Sequence, residues 1–239
     1  MKEKIILFTR VPKEGTTKTR LYDFMSPTEA VNIQKKLLKK NYDLLAETNR
    51  ELLVCHDGNS SDDKEMAELI SCDKFYYQKG DNLGDKMYNA LEEVISDSKV
   101  ILLGSDIFNL DKDIIEEAFE KLETHDIVIN PSEDGGYFLI GMKKAIKEVF
   151  DLPSYGDSSV LENLIKVLEK NNLTYYLGRA ALDIDIKEDL LYAETGYKNI
   201  KLLGAGEYNI NFTFDEDNMK KVLRLNMKSQ MNLDNQIEY

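Results

Sequence analysis

The chain begins with an unbroken apolar run, Ile5-Ile6-Leu7-Phe8, entered from Lys4 and left through Thr9. A strand with one face in water alternates apolar and polar side chains, so a continuous run of this length marks a strand buried on both faces, as in a parallel sheet. Parallel neighbours cannot be joined by a tight turn, and each needs a crossover that is usually helical. The rest of the chain is punctuated to match. Strand-like segments at 51–55, 75–78, 100–103, 127–129 and 174–177 alternate with helix-like segments at 62–70, 84–95, 111–122, 143–150 and 158–169. Ser26, Pro27 and Glu29 supply an N-cap, an N1 proline and an N3 glutamate, a capping box that opens a helix to about Glu47. Within 84–95, Met87, Leu91, Val94 and Ile95 share one helical face. Residues 137–140, set between Gly135-Gly136 and Gly141, read as a strand outside the simple alternation. The expected fold is an α/β class three-layer α/β/α sandwich with a mostly parallel central sheet.

With 239 residues, 42% of them apolar, one large domain with a full core is affordable, and residues 1–198 are expected to form it, with 199–239 as an extension. No apolar stretch approaches the length of a membrane span or a signal peptide's apolar region, so a cytoplasmic protein is expected. Cys55 and Cys72 have no partner spacing that suggests zinc or a disulfide framework. A formal charge of −13 repels nucleic acid over most of the surface. Basic residues are nevertheless concentrated in one place.

Arg10, Lys13, Lys18 and Arg20 cluster around Gly15 directly after the first strand. In open α/β sheets ligands bind beyond the carboxyl ends of strands, and a basic loop there can hold a polyphosphate. The same residues would equally suit a solvated loop, but their position favours binding; no Walker A pattern is present. Ser105-Asp106 follows the apolar run 100–103, so Asp106 sits at the sheet rim, where it would either hold a hard cation such as Mg²⁺ or cap the helix beginning near Asp111. Asp134-Gly135-Gly136-Tyr137 places a carboxylate before a glycine pair, either an acceptor-facing element or a tight turn into a strand. In Leu182-Asp183-Ile184-Asp185-Ile186 a strand would throw Asp183 and Asp185 to one face, which needs a nearby cation unless the segment is a solvated edge. His56 and His125 stand without an acid or nucleophile at recognisable spacing.

Taken in order, five stretches resemble the GT-A-like nucleotide-diphospho-sugar transferase superfamily and, within it, the DUF2064-type predicted glycosyltransferases. They are 11–21, 78–87 with Gly84, 103–106, 134–141, and 183–185 through 188–190, together spanning about residues 1–195. The resemblance implies that Arg10, Lys13, Gly15, Lys18, Arg20, Gly84 and Ser105 serve the nucleotide. It implies Asp106 with Asp185 and Asp183 for Mg²⁺ or Mn²⁺, Lys18, Asp106 and Asp134 in catalysis, and Asp134, Gly135, Gly136 and Tyr137 for a small-molecule acceptor. The chain departs from the family where Ile107-Phe108 replaces the usual proline two residues after the aspartate, and where Tyr155-Gly156-Asp157-Ser158 replaces a tryptophan element.

Residues 203–214, then 215–218, then 222–225 resemble the glycine-rich hairpin and third strand of choline-kinase or aminoglycoside-phosphotransferase-like enzymes, without their catalytic aspartates, which implies a possible downstream kinase-like domain. The expected function is a metal-dependent glycosyltransferase using a nucleotide sugar. The alternatives are a nucleotidyltransferase joining a nucleotide to a phosphorylated small molecule with release of pyrophosphate, and a non-catalytic nucleotide-binding domain.

Overall fold

The computed structural model describes residues 1–187, 189–190, 208–214 and 221–227. Seven strands among them form one sheet: β1 (Lys2–Thr9), β2 (Glu51–His56), β3 (Phe75–Tyr77), β4 (Ser98–Gly104), β5 (Ile127–Pro131), β6 (Tyr137–Met142) and β7 (Tyr175–Leu177). Their spatial order is β3-β2-β1-β4-β6-β5-β7. β1 is parallel to both β2 and β4, β2 to β3 and β5 to β7, while β6 runs antiparallel between β4 and β5. The strand expected outside the alternation is thus the one reversed strand of the sheet.

The opening apolar run is buried on both faces because helices cover both. Ile5 and Leu7 point into a core with Leu38 and Leu45 of α1 (Pro27–Ala46), Met66 and Ile70 of α2 (Asp63–Ile70), and Ile115 and Phe119 of α4 (Lys112–Lys121). Ile6 points the other way, to Met87 and Leu91 of α3 (Leu83–Val94) and Leu164 and Leu168 of α5 (Val160–Lys170). This is the three-layer α/β/α sandwich. At about 25 cal/mol per Å² of apolar area removed from water, the two cores are the main favourable contribution to folding.

The helix expected at 143–150 does not form. Ile146 is extended (φ −123°, ψ 107°), and only Lys147–Phe150 makes a short 3-10 turn. Ala145, Ile146, Val149 and Phe150 all pack on the second core, so the burial of this segment is met by a single turn.

From β1 the chain steps to β2 and β3 on one side, then returns to β4 on the other side of β1. Connections leaving the carboxyl ends of β1 and β4 therefore diverge and leave a crevice between them. Reversal of β6 keeps β5 and β7 parallel to β1, so their carboxyl ends reach the same rim.

Contacts divide the chain into Met1–Asp185 and Ile186–Tyr239. In the second unit, β8 (Tyr208–Phe214) and β9 (Lys221–Met227) form an antiparallel pair, with Phe214 opposite Lys221. The glycine-rich 203–207 and the turn 215–218 of the kinase-like resemblance lie outside the described residues. No helix of the described residues is long and apolar enough to cross a membrane.

The capping box at α1 is complete. Ser26 Oγ accepts from the Glu29 N–H at 3.3 Å, and Glu29 Oε2 accepts from the Ser26 N–H at 2.8 Å and from its hydroxyl at 2.6 Å. These bonds hold the Glu29 carboxyl below its ordinary value, the hydroxyl bond contributing most. A carboxyl lowered in the folded state stabilises above its unfolded pKa, and that stabilisation is lost as pH falls through the folded value. Ser26→Ala is expected to cost about 1 kcal/mol in urea denaturation at neutral pH. The cost should shrink when the measurement is repeated in acid, below about pH 4.

Candidate functional site

Thr9, the last residue of β1, and Ser105, just past β4, close the floor of the crevice. Their buried hydroxyls lie 2.7 Å apart, and Gln34 Nε2 of α1 donates to Ser105 Oγ at 2.9 Å. Beyond Ser105 the backbone is gripped from both sides. Asn41 Nδ2, fully buried on α1, donates at 2.9 Å to the carbonyls of both Ser105 and Ile107. On the opposite side Asp106 O accepts from Ile184 N at 3.2 Å, and Phe108 N donates to Leu182 O at 2.8 Å. Ile107 is paired antiparallel with Asp183. Alternate carbonyls of an extended chain point in opposite directions, which lets α1 and the 182–184 segment share these four residues.

The acidic-apolar alternation acts as expected. Leu182 and Ile184 are buried, while Asp183 and Asp185 are half exposed. The cations beside these carboxylates come from the basic loop. Lys18 Nζ, its side chain only 3% exposed, donates to Ile184 O and lies 3.5 Å from Asp106 Oδ2. Arg20 donates to Asp185 Oδ2 at 2.6 Å, and this pair is much more exposed. Lys18, Arg20, Asp106 and Asp185 thus meet at one rim. Asp106 is not a cap: Asp111 caps α4, accepting from Ile114 N at 3.0 Å.

The loop is shaped by local bonds. Lys13 O accepts from the N–H groups of Thr16 and Thr17, and Thr17 Oγ1 accepts from Lys13 N at 2.9 Å. Gly15 takes φ +82°, where a side chain would be strained, and Lys18 adopts the left-handed region at φ 47°. The loop after β2 then clamps it, Asp57 accepting from Val11 N at 2.8 Å and Asp62 pairing with Lys13 Nζ at 2.5 Å. That hydrogen bond raises the Lys13 ammonium and lowers the Asp62 carboxyl relative to their ordinary values.

The other expected residues are placed differently. Arg10 is exposed and donates to Thr16 O at 3.4 Å. Gly84 opens α3 where an added Cβ would lie 2.2 Å from Phe150 O, a close approach only glycine permits. Asp134 Oδ1 accepts from Ser132 Oγ at 2.5 Å and from Gly136 N at 3.0 Å, which makes it a turn former. Gly135 has φ +91° and abuts the backbone of Ser158. Tyr137 lies near Met87 Sδ, and burial pushes its phenol well above the ordinary range.

Sequence reasoning missed Gln34, Asn41, Asp57 and Asp62. Gln34 and Asn41 carry a legible signal, as two amides seven residues apart on the core-facing stripe of α1. His56 was also passed over. Its Nδ1 accepts from Gly58 N at 3.1 Å and its Nε2 faces Asp63 at 3.2 Å, which orders the clamping loop.

Among the described residues no group of three or more His, Cys, Asp or Glu side chains is arranged as a metal cage. The expected Asp106, Asp183 and Asp185 are therefore not gathered as a ligand triad. The donor chemistry still fits a hard cation of the Mg²⁺ kind, which takes one or two carboxylates and completes its shell with phosphate oxygens and water.

A 2-phospho-L-lactate guanylyltransferase of Methanocaldococcus jannaschii is 30% identical over 200 residues, 80% of this chain and 81% of that enzyme. The chain belongs to that enzyme's family. Residues 40–157 also match the family described as uncharacterized protein conserved in bacteria (DUF2064). In structure, a protein of Desulfovibrio desulfuricans provisionally designated a nucleotide-diphospho-sugar transferase superimposes with a TM-score of 0.76 at 27% identity, covering 84% of this chain and 90% of the other. A 4-diphosphocytidyl-2C-methyl-D-erythritol synthase of Anaerococcus prevotii shares the fold, with a TM-score of 0.51 at 11% identity over 80% and 94% of the two chains. The fold is GT-A-like, and the protein is a nucleotide-dependent transferase. The expected glycosyl transfer is overturned, because the matched curated relatives are guanylyltransferases, and the provisional designation of the Desulfovibrio protein does not offset them.

The two cations at this rim differ in burial, and their removal should differ in consequence. Lys18→Met leaves the Ile184 carbonyl without its donor and should cost about 1–3 kcal/mol in urea denaturation. Arg20→Ala, at an exposed pair, should cost no more than about 1 kcal/mol.

Proposed function

We propose that the protein is a nucleotidyltransferase that joins the nucleoside monophosphate part of a nucleoside triphosphate to a small phosphorylated acceptor. The observation that carries it is the 30% identity with a guanylyltransferase over most of both chains. The meeting of Lys18 and Arg20 with Asp106 and Asp185 at the crevice supports it. By that relationship, guanosine triphosphate is the first donor to test, and a phosphorylated 2-hydroxy acid such as 2-phospho-L-lactate the first acceptor.

The chemistry asks for charge more than for an acid or base. A phosphate oxygen of the acceptor attacks the α-phosphorus, a new phosphoanhydride forms, and the bond to the β-phosphate oxygen breaks. Pyrophosphate leaves with that electron pair. Lys18 and Arg20 would neutralise the negative charge building on the leaving group, in a site whose donors are already oriented. Asp106, with Asp185 beside it at the rim, would hold Mg²⁺ or Mn²⁺, which supplies Lewis-acid stabilisation of phosphate oxygens when bound. The turn at Asp134, Gly135, Gly136 and Tyr137 reaches the same rim and would border the acceptor.

Incubation with nucleoside triphosphate, Mg²⁺ and 2-phospho-L-lactate should release pyrophosphate only when the acceptor is present. Release of nucleoside diphosphate from a nucleotide sugar, or no pyrophosphate with any phosphorylated hydroxy acid, would overturn the proposal. Asp106→Asn should lower kcat by about 10²-fold or more while the thermal midpoint stays within a few degrees.

A further inference from the structure

We infer that Asn41 is a positioning residue for Asp106, acting through the backbone on either side of it. Asn41 is fully buried on α1, and its amide nitrogen spans two carbonyls, those of Ser105 and Ile107, at 2.9 Å each. Because both partners are acceptors, the amide can face them only through its nitrogen, which fixes its orientation. The price is visible on the other side, where Asn41 Oδ1 is buried without a hydrogen-bond partner. A buried acceptor left unpaired costs stability, so an amide retained there is not optimised for stability alone. What it achieves is geometric. The peptide units joining Ser105 to Asp106 and Ile107 to Phe108 cannot tilt without breaking one of the two bonds.

The surroundings complete the grip. Gln34, seven residues earlier on the same helix, donates to the Ser105 hydroxyl, and Lys40 donates to Phe108 O while its ammonium lies 5.2 Å from the Phe108 ring centroid. Burial lowers the Lys40 ammonium from its ordinary value, as expected for a cation set against a carbonyl and a ring. Three side chains of α1, Gln34, Lys40 and Asn41, thus donate to residues 105, 107 and 108, while the 182–184 segment holds the intervening edge. Asp106 sends its side chain to the rim, 38% exposed and 3.5 Å from Lys18. Groups that orient a metal-binding carboxylate from behind typically change metal affinity or activity by about 10–100-fold when removed.

The inference rests on the proposed function only in taking Asp106 as the carboxylate that meets the cation and phosphates. Its test is the strength of Mn²⁺-dependent nucleotide binding, read as the ratio of GTP Kd without and with Mn²⁺ by calorimetry. Asn41→Ala is expected to reduce that ratio about tenfold, to leave the metal-independent Kd within about twofold, and to lower kcat more than it raises KM. Leu38→Ala, a buried apolar truncation on the same helix, controls for lost stability and should leave the ratio unchanged. If Asn41→Ala does not fold, Asn41→Ser, whose hydroxyl is too short to reach both carbonyls, carries the same expectations. An unchanged ratio in the Asn41 variant, or an equal loss in Leu38→Ala, overturns the positioning role. Asp106→Asn separates this from a failure of the site itself: if it too leaves the ratio unchanged, Asp106 does not meet the cation.

Discussion

Lys18 carries its ammonium into a place where a charge without partners would cost several kcal/mol. Ile184 O and Asp106 Oδ2 receive it. Those two groups come from segments about eighty residues apart in the chain, and they are neighbours only because 182–184 pairs along the backbone of 106–108. The lysine is therefore the pin through three pieces of chain: the loop after β1, the turn after β4, and the returning segment beyond β7. Its left-handed backbone, a conformation that costs a non-glycine residue about 1–3 kcal/mol, is tolerated because the side chain is held at its far end.

The sheet order makes such a pin possible. Two parallel strands whose onward connections diverge leave their carboxyl ends uncovered, and in this chain those ends are Thr9 and Ser105. The reversed strand β6 matters here as well. Had β5 been antiparallel to β1, the turn at 131–136 and the approach of residues 178–185 would have opened on the far rim. With β6 inserted, Ala181 N reaches Pro131 O, and the acidic segment arrives on the same side as the basic loop.

Local rules were enough for much of this. Four apolar residues in a row announced a doubly covered strand, and Ser26-Pro27-x-Glu29 placed the start of α1 because capping is chemistry within one turn. The same rules failed at 143–150, where packing of Val149 and Phe150 needed only one turn of 3-10 helix. They could not give Asn41 its partners or reveal the Lys13–Asp62 clamp, since nothing in a helix's own pattern tells which distant carbonyl a buried amide will meet. The convergence of Lys18, Arg20, Asp106 and Asp185 was legible as four charges near strand ends, while their pairing spans up to 165 positions and needed the fold. Glycosyl and nucleotidyl transfer were not separable from residue types at all. Both need a cationic rim facing phosphates, and they differ in which atom is attacked, which is set by where the acceptor sits.

The two ion pairs at the rim are chemically alike yet physically unequal. Lys18 is enclosed, and separating it from its partners would strand a charge and a carbonyl, so it acts as a fixed positive charge whatever else enters. Arg20 and Asp185 are 62% and 39% exposed, and an exposed pair holds by only about 1 kcal/mol or less. In the proposed reaction a phosphate oxygen meeting Arg20 would displace Asp185 at little cost, and a cation between that carboxylate and the incoming anion would relieve their repulsion. Anion and cation binding would then be coupled through one exchangeable pair, with the buried lysine keeping the frame in which the exchange happens.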